Sequence, residues 1–402
     1  MKKDIVPKIP NSYIAYPAVV SLLAYVFAYQ YAYPFSSTLF LYIAFGGFVV
    51  WMIFCQKLYL TKQMLIMALV AVVSVMGVFY TYNQEKGIRE AILTGVVFLL
   101  LVAFSQNSIL LNKLKKAIHI CTFAVFLGVM FQYLFPDTAN ELFSKIHRSD
   151  CYEHLMWSYT VDGAYAGFCA YTHDAAYFCA VLFGITIFQW LQKKDAPFVK
   201  KAIQLIIAAL SVFAVVLTSK RGVAVALLVA FVFSFMIWKK LSAKTFVRTI
   251  AIIVLGVIIL TILSKQNEEL KSFLERFDTA EGDITTGRSE IWQFALDNIS
   301  NHLIGMGTGC AYLIYGSGLH NIYIQLYFDH GIIGLAVYVW FFVYNLIYAI
   351  KKREPTAIYI QLIMLVYGLS GNPIYSNSFF IIYTIFSAVL VGNEDKTDNA
   401  SI

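Results

Sequence analysis

Three short stretches hold residue types that could act on one substrate. Ser219-Lys220-Arg221-Gly222 reads as a tight turn between two apolar runs, and Gly287-Arg288 and His320-Asn321 bracket a polar segment. Arginine presents a planar fork of donors that matches phosphate oxygens, so two arginines on one membrane face would hold a diphosphate. A neutral imidazole takes a proton near neutral pH, and an attacking hydroxyl must lose one. Arg221, Arg288 and His320 would therefore suit transfer from a lipid-linked diphosphate. Lys220 adds a point charge beside Arg221. Asn321 would orient the imidazole or bind a sugar hydroxyl, and Asp329 with His330 would support that arrangement or cap the next span. His173-Asp174 would line an entrance between helices or cap one. The run His147, Arg148, Asp150, Glu153 and His154 reads as solvated or as glycan-binding.

The elements that must position these groups are membrane helices. The 402 residues are 60% hydrophobic and only 13% charged, about half the charge fraction of a soluble domain. Apolar runs long enough to cross the hydrocarbon core recur from end to end. Twelve spans are expected, at 13–33, 37–55, 63–82, 88–105, 116–135, 173–191, 202–218, 222–238, 246–264, 331–350, 356–371 and 376–392. The fold class is all-α, a single polytopic transmembrane domain over 1–402. A β-barrel would show short alternating segments instead. The first span, after Met1-Lys2-Lys3 and Lys8, lacks a small-residue cleavage site and reads as a retained helix. With both termini cytoplasmic, 20 of the 30 Lys and Arg fall in cytoplasmic segments, as the positive-inside rule requires. These anchors account for the net charge of +7, and no nucleic acid partner is implied.

Two outward segments stand out, 136–172 and 265–320, and the second carries the site. It contains two amphipathic stretches: Lys265 to Phe277, and Ser289 to Ile299 with Ile291, Trp292, Ala295, Leu296 and Ile299 on one face. Thr286 is a candidate cap for the second, with Arg288 at its start. Gly305-Met306-Gly307-Thr308-Gly309 and Gly316-Ser317-Gly318 allow close backbone approach, and Asn321 to Phe328 continues as a helix towards the next span. Cys55, Cys121 and Cys179 fall within spans. Cys151 and Cys169 share an outward loop, where an oxidising side would permit a disulfide, though nothing else in the loop signals covalent stapling. No His/Cys cluster has metal-ligand spacing. The spans hold almost no acidic residues, which counts against a proton-coupled transporter of lipid or glycan, the remote alternative. No nucleotide-binding glycine loop is present, so an activated lipid donor fits better than ATP.

The chain resembles the O-antigen ligase/polymerase superfamily, which includes the Wzy-type polymerases and WaaL-type ligases. The resemblance rests on Thr218-Ser219-Lys220-Arg221-Gly222, Thr286-Gly287-Arg288 with Ile291-Trp292, Gly305-Met306-Gly307, and His320-Asn321 followed by Asp329-x-Gly331-x-x-Gly334. It covers roughly 170–350. It implies a glycosyltransferase of the GT-C kind in the bacterial inner membrane, with a periplasmic site and an undecaprenyl-diphosphate-linked oligosaccharide as donor. The family is taken to be inverting and metal-independent, with no cofactor. Carried over, Arg221 and Arg288 would hold the diphosphate and His320 would activate or position the acceptor hydroxyl. Asp329 departs from the Glu often found at its position. The Ser-Lys-Arg-Gly turn, the glycines before His-Asn and the high Tyr and Phe content favour a polymerase over the close alternative, a ligase transferring the glycan to lipid A–core. Membrane lipid and a chain-length regulator protein are the further partners such an enzyme would have.

Overall fold

The computed structural model describes residues 15–28, 31, 37–54, 58–193, 195–239, 271, 287–316 and 318–391. Among these the chain is helical, apart from an isolated backbone bridge between Tyr31 and His147. Helices α1 to α5 span Ala15–Ala28, Ser37–Phe54, Lys62–Val78, Gln84–Gln106 and Ser108–Leu134. Two short helices follow, α6 (Pro136–Ile146) and α7 (Ser149–Asp162), then α8 (Thr172–Gln192), α9 (Phe198–Leu217) and α10 (Arg221–Lys239). The later elements are α11 (Arg288–Asp297), α12 (Cys310–Tyr315), α13 (Ile322–Lys352), α14 (Pro355–Tyr367) and α15 (Asn377–Ser387).

Six of the described helices, α4, α5, α8, α9, α10 and α13, are long and apolar enough to cross a membrane. Five expected spans coincide with shorter apolar helices, α1, α2, α3, α14 and α15. The ninth expected span, 246–264, and the amphipathic stretch from Lys265 to Phe277, Lys271 apart, lie outside the described residues. This is a polytopic all-α membrane protein. α8 is its central helix: nearly every residue from Thr172 to Phe188 is buried, and it packs against α5, α9, α10 and α14. Gly184 seats the Tyr359 ring directly on its backbone, and the Tyr359 hydroxyl donates to the Ala180 carbonyl at 2.9 Å.

The connections differ most from expectation. The segment 136–172 is two helices and a loop that docks back on the bundle, where Tyr165 N donates to Leu217 O at 3.0 Å. His147 is buried rather than solvated, with its two ring nitrogens against the carbonyls of Phe143 (3.1 Å) and Phe168 (3.2 Å). Cys151 and Cys169 are both buried free thiols, so no disulfide joins them. α14 ends at Tyr367 and α15 begins at Asn377, so residues 368–376 form a longer irregular turn than the expected 372–375. Among the described residues three acids are buried in helices, Glu90 in α4, Asp174 in α8 and Asp329 in α13, and of these the apolar pattern obscured Glu90.

α13 absorbs the expected helix at Asn321 to Phe328 and the tenth span into one element, broken at Gly331. There φ is 64° and ψ is −168°, and a Cβ would run into the backbone of Leu303 and Ile304. The glycine-rich segment fills the break. Met306 N donates to Phe328 O (2.8 Å) and Gly307 N to Asp329 O (2.9 Å), while Ile332 N donates to His302 O (2.9 Å). Backbone groups freed by a broken membrane helix must find partners within the protein, and this loop supplies them.

Candidate functional site

The predicted site residues come from three separate turns, and each has a local reason for its position. α9 ends in a turn whose Ser219 adopts a left-handed backbone (φ 56°), and α10 begins directly at Arg221. A cation at a helix N-terminus opposes the helix dipole, so this placement disfavours the helix and suits an incoming anion. Gly222 follows because the 368–376 turn lies against it; a Cβ there would meet the Ser370 hydroxyl. Arg288 opens α11, whose cap is Gly287 in the left-handed region (φ 79°), not Thr286, which lies outside the described residues. Its guanidinium donates to the Ser370 carbonyl at 3.0 Å. The 368–376 turn thus braces both arginine-bearing segments.

His320 sits on a strained backbone, with φ 53°, a region costly for any residue with a Cβ. Its neighbours over-determine it. The Trp292 indole donates to Leu319 O at 2.7 Å, and Leu319 N donates to the Gln325 side chain at 3.0 Å. Non-glycine left-handed residues among those described are Ser219, His320 and Arg353, and the first two lie on the same cavity.

That cavity has a volume of about 850 Å³. Arg221, Arg288, His320, Lys220 and His173 all line it, so the structure brings five of the seven expected site residues together. The lining carries five Lys and Arg side chains against one carboxylate, Asp174. Such a surplus, partly out of water, gives the cavity a positive potential. Burial, followed by the charges of Arg288, His173 and Lys220, pushes the His320 imidazole down to about 4. The ring is therefore neutral at rest and open to a proton.

Two expected residues do something else. Asn321 does not line the cavity; its side chain caps α13, accepting from Tyr323 N (3.0 Å) and Ile324 N (3.2 Å). Asp329 is fully buried behind the cavity wall. It accepts from the Tyr375 hydroxyl at 3.0 Å and from Ala311 N at 3.2 Å, so it braces Tyr375, which does face the cavity, and the start of α12. His330 is likewise buried, its ring stacked on Tyr338. His173-Asp174 does not cap α8, whose cap is Tyr171. The His173 ring instead lies 3.6 Å from the Asp174 carboxylate, and both line the cavity.

The sequence reading missed Lys86 and Arg89 of α4, the tyrosines Tyr25, Tyr171, Tyr312, Tyr367 and Tyr375, and the turn residues Ser370 and Asn372, all on the cavity. One signal for the turn was present, the Gly368-Leu369-Ser370-Gly371-Asn372-Pro373 run, whose composition marks irregular backbone. The contributing segments are alternate connections of the twelve-span order: α3–α4, α7–α8, α9–α10, the long segment before α13, and α14–α15. They belong together if all emerge on one membrane face.

Fold and cavity together define a multi-pass membrane protein with a cation-rich cavity lined by several of its connections. Residues 206–339 match the model of the family Wzy_C, O-Antigen ligase. The resemblance to the O-antigen ligase/polymerase superfamily holds over that third of the chain, which includes Arg221, Arg288 and His320, and it supports an enzyme of that general kind. Comparison with curated proteins finds no match.

Proposed function

We propose that the protein is a glycosyltransferase that uses a glycan on undecaprenyl diphosphate as donor and extends a second lipid-linked repeat unit. The meeting of Arg221, Arg288, Lys220 and a neutral His320 in one cavity carries this reading. The acceptor hydroxyl oxygen attacks the anomeric carbon, and the bond from that carbon to the diphosphate oxygen breaks. The hydroxyl proton passes to His320. The diphosphate leaves with the bonding electron pair, and Arg221, Arg288 and Lys220 stabilise the charge that develops on it. Attack opposite the leaving group inverts the anomeric centre. The bound anion also offsets the positive charges around His320, so the imidazole becomes a stronger base when the donor is in place. His173 and the tyrosines offer polar and aromatic surface to the sugars. The basic loops favour a periplasmic site in the bacterial inner membrane, with both termini in the cytoplasm.

A ligase that transfers the glycan to lipid A–core is the second reading, favoured by the description of the matching family. Deletion separates the two. Loss of a polymerase leaves single repeat units on the core; loss of a ligase leaves none. Arg288→Ala, Arg221→Ala and His320→Ala in the membrane-inserted protein are expected each to abolish long-chain glycan. Full-length ladders from these variants would remove the site assignment.

A further inference from the structure

A second cationic pair lines the cavity, on a different helix from the first. Lys86 and Arg89 lie in the first two turns of α4, where the helix dipole again opposes a positive charge. The Lys86 ammonium stands 4.1 Å from the Tyr312 ring centroid and 3.7 Å from a Glu90 oxygen. Glu90 itself is buried and does not line the cavity. It stands behind Lys86, while Arg89 stays exposed. Lys86 and Arg89 reach the cavity from α4, whereas Lys220 and Arg221 come from the α9–α10 turn and Arg288 from the start of α11, so the cations stand on separate elements.

We propose that Lys86 and Arg89 form a second anion subsite, which holds an anionic group of the acceptor while the donor diphosphate occupies Arg221 and Arg288. This rests on the donor assignment above. Two anions in one cavity repel each other, and separate cation pairs let both bind at once. The chemistry fits a diphosphate on a second lipid-linked glycan or an acidic sugar near the acceptor hydroxyl.

The test uses the full chain in nanodiscs, with unglycosylated undecaprenyl diphosphate as the binding probe and steady-state turnover as the second readout. In Lys86→Gln/Arg89→Gln the acceptor KM is expected to rise at least about tenfold, the scale of one charge-assisted hydrogen bond. The donor KM should change much less. Arg89→Gln alone removes an exposed charge without leaving Glu90 unpartnered, and should raise acceptor KM in the same direction. Lys86→Arg, keeping the charge, should recover most of the loss. Two bound diphosphate lipids per wild-type chain, falling to one in the double variant, identify the anion as a diphosphate. One bound lipid, with a uronate-bearing oligosaccharide competing against acceptor only when Lys86 and Arg89 are intact, identifies an acidic sugar. An acceptor KM unchanged in both glutamine variants, or a rise confined to the donor KM, overturns the proposal. The donor reading fails separately, if Arg221→Gln/Arg288→Gln retains normal turnover.

Discussion

Replacing Arg288 by glutamine should make the His320 imidazole more basic, and the size of the change can be bounded. The ring lies at about 4 where an unperturbed histidine lies at 6.5, with burial the largest cause and Arg288 the largest of three charges after it. Arg288 therefore accounts for less than half the gap, and its removal should bring the imidazole to about 5 or just below. At 1.36 kcal/mol for each pH unit, Arg288 favours the neutral ring by about 1.4 kcal/mol or less, and its loss returns that to imidazolium. The sign follows from the charge: a neighbouring cation disfavours imidazolium, and losing it restores proton affinity. The assay is an NMR titration of the protein labelled with ¹³C-histidine in nanodiscs, with His320→Gln to identify the resonance. In wild type the resonance should stay that of a neutral ring down to about pH 5. A wild-type His320 titrating near 6.5, or one unmoved by Arg288→Gln, would refute the electrostatic account of the site. In turnover, the acid limb of kcat/KM reports the free enzyme and should lie near 4. The limb of kcat should lie higher, because the bound diphosphate favours imidazolium.

Other outcomes follow from the same geometry. Trp292→Phe removes the donor to Leu319 O and should cost about 1 kcal/mol of stability; single-turnover rates should fall while donor binding holds, and an unchanged rate would show that the strained His320 backbone needs no such support. Asn321→Ser keeps a capping oxygen and should retain turnover, whereas Asn321→Ala should cost about 1 kcal/mol of stability; a loss of turnover in the serine variant would return Asn321 to the substrate. Gly331→Ala forces a Cβ into the Leu303 and Ile304 backbone at a left-handed position, a cost of about 1–3 kcal/mol before the clash; thermal unfolding in detergent should show a lower transition or no folded protein.

The spans were legible because hydrocarbon demands long apolar runs, and the turn-borne arginines because cations on the basic-poor side have no anchoring role. The direction of a side chain was not legible. Asn321 follows His320 directly and Asp329 stands nine residues on, yet one folds back on its own helix and the other points behind the wall, since a helix cap and a sugar ligand call for the same amide or carboxylate. Lys86 and Arg89 were hidden at the start of an apolar run, where Glu85 and Glu90 beside them make a mixed-charge helix end. The 368–376 turn was only partly legible: Gly371, Asn372 and Pro373 mark irregular backbone, but the apolar run before them made the preceding span look longer than it is, and backbone that lines a polar cavity can leave the helix at membrane depth.

The break at Gly331 ties assembly of the cavity to completion of the membrane bundle. Amides of the glycine-rich segment are the partners of carbonyls that no complete turn of α13 could leave open, so neither piece reaches its final form alone. A nascent chain would have to insert α13 before the segment bearing His320 could lock against it. Until then the arginines and the imidazole would not share a cavity, and an incompletely inserted chain would lack the candidate site.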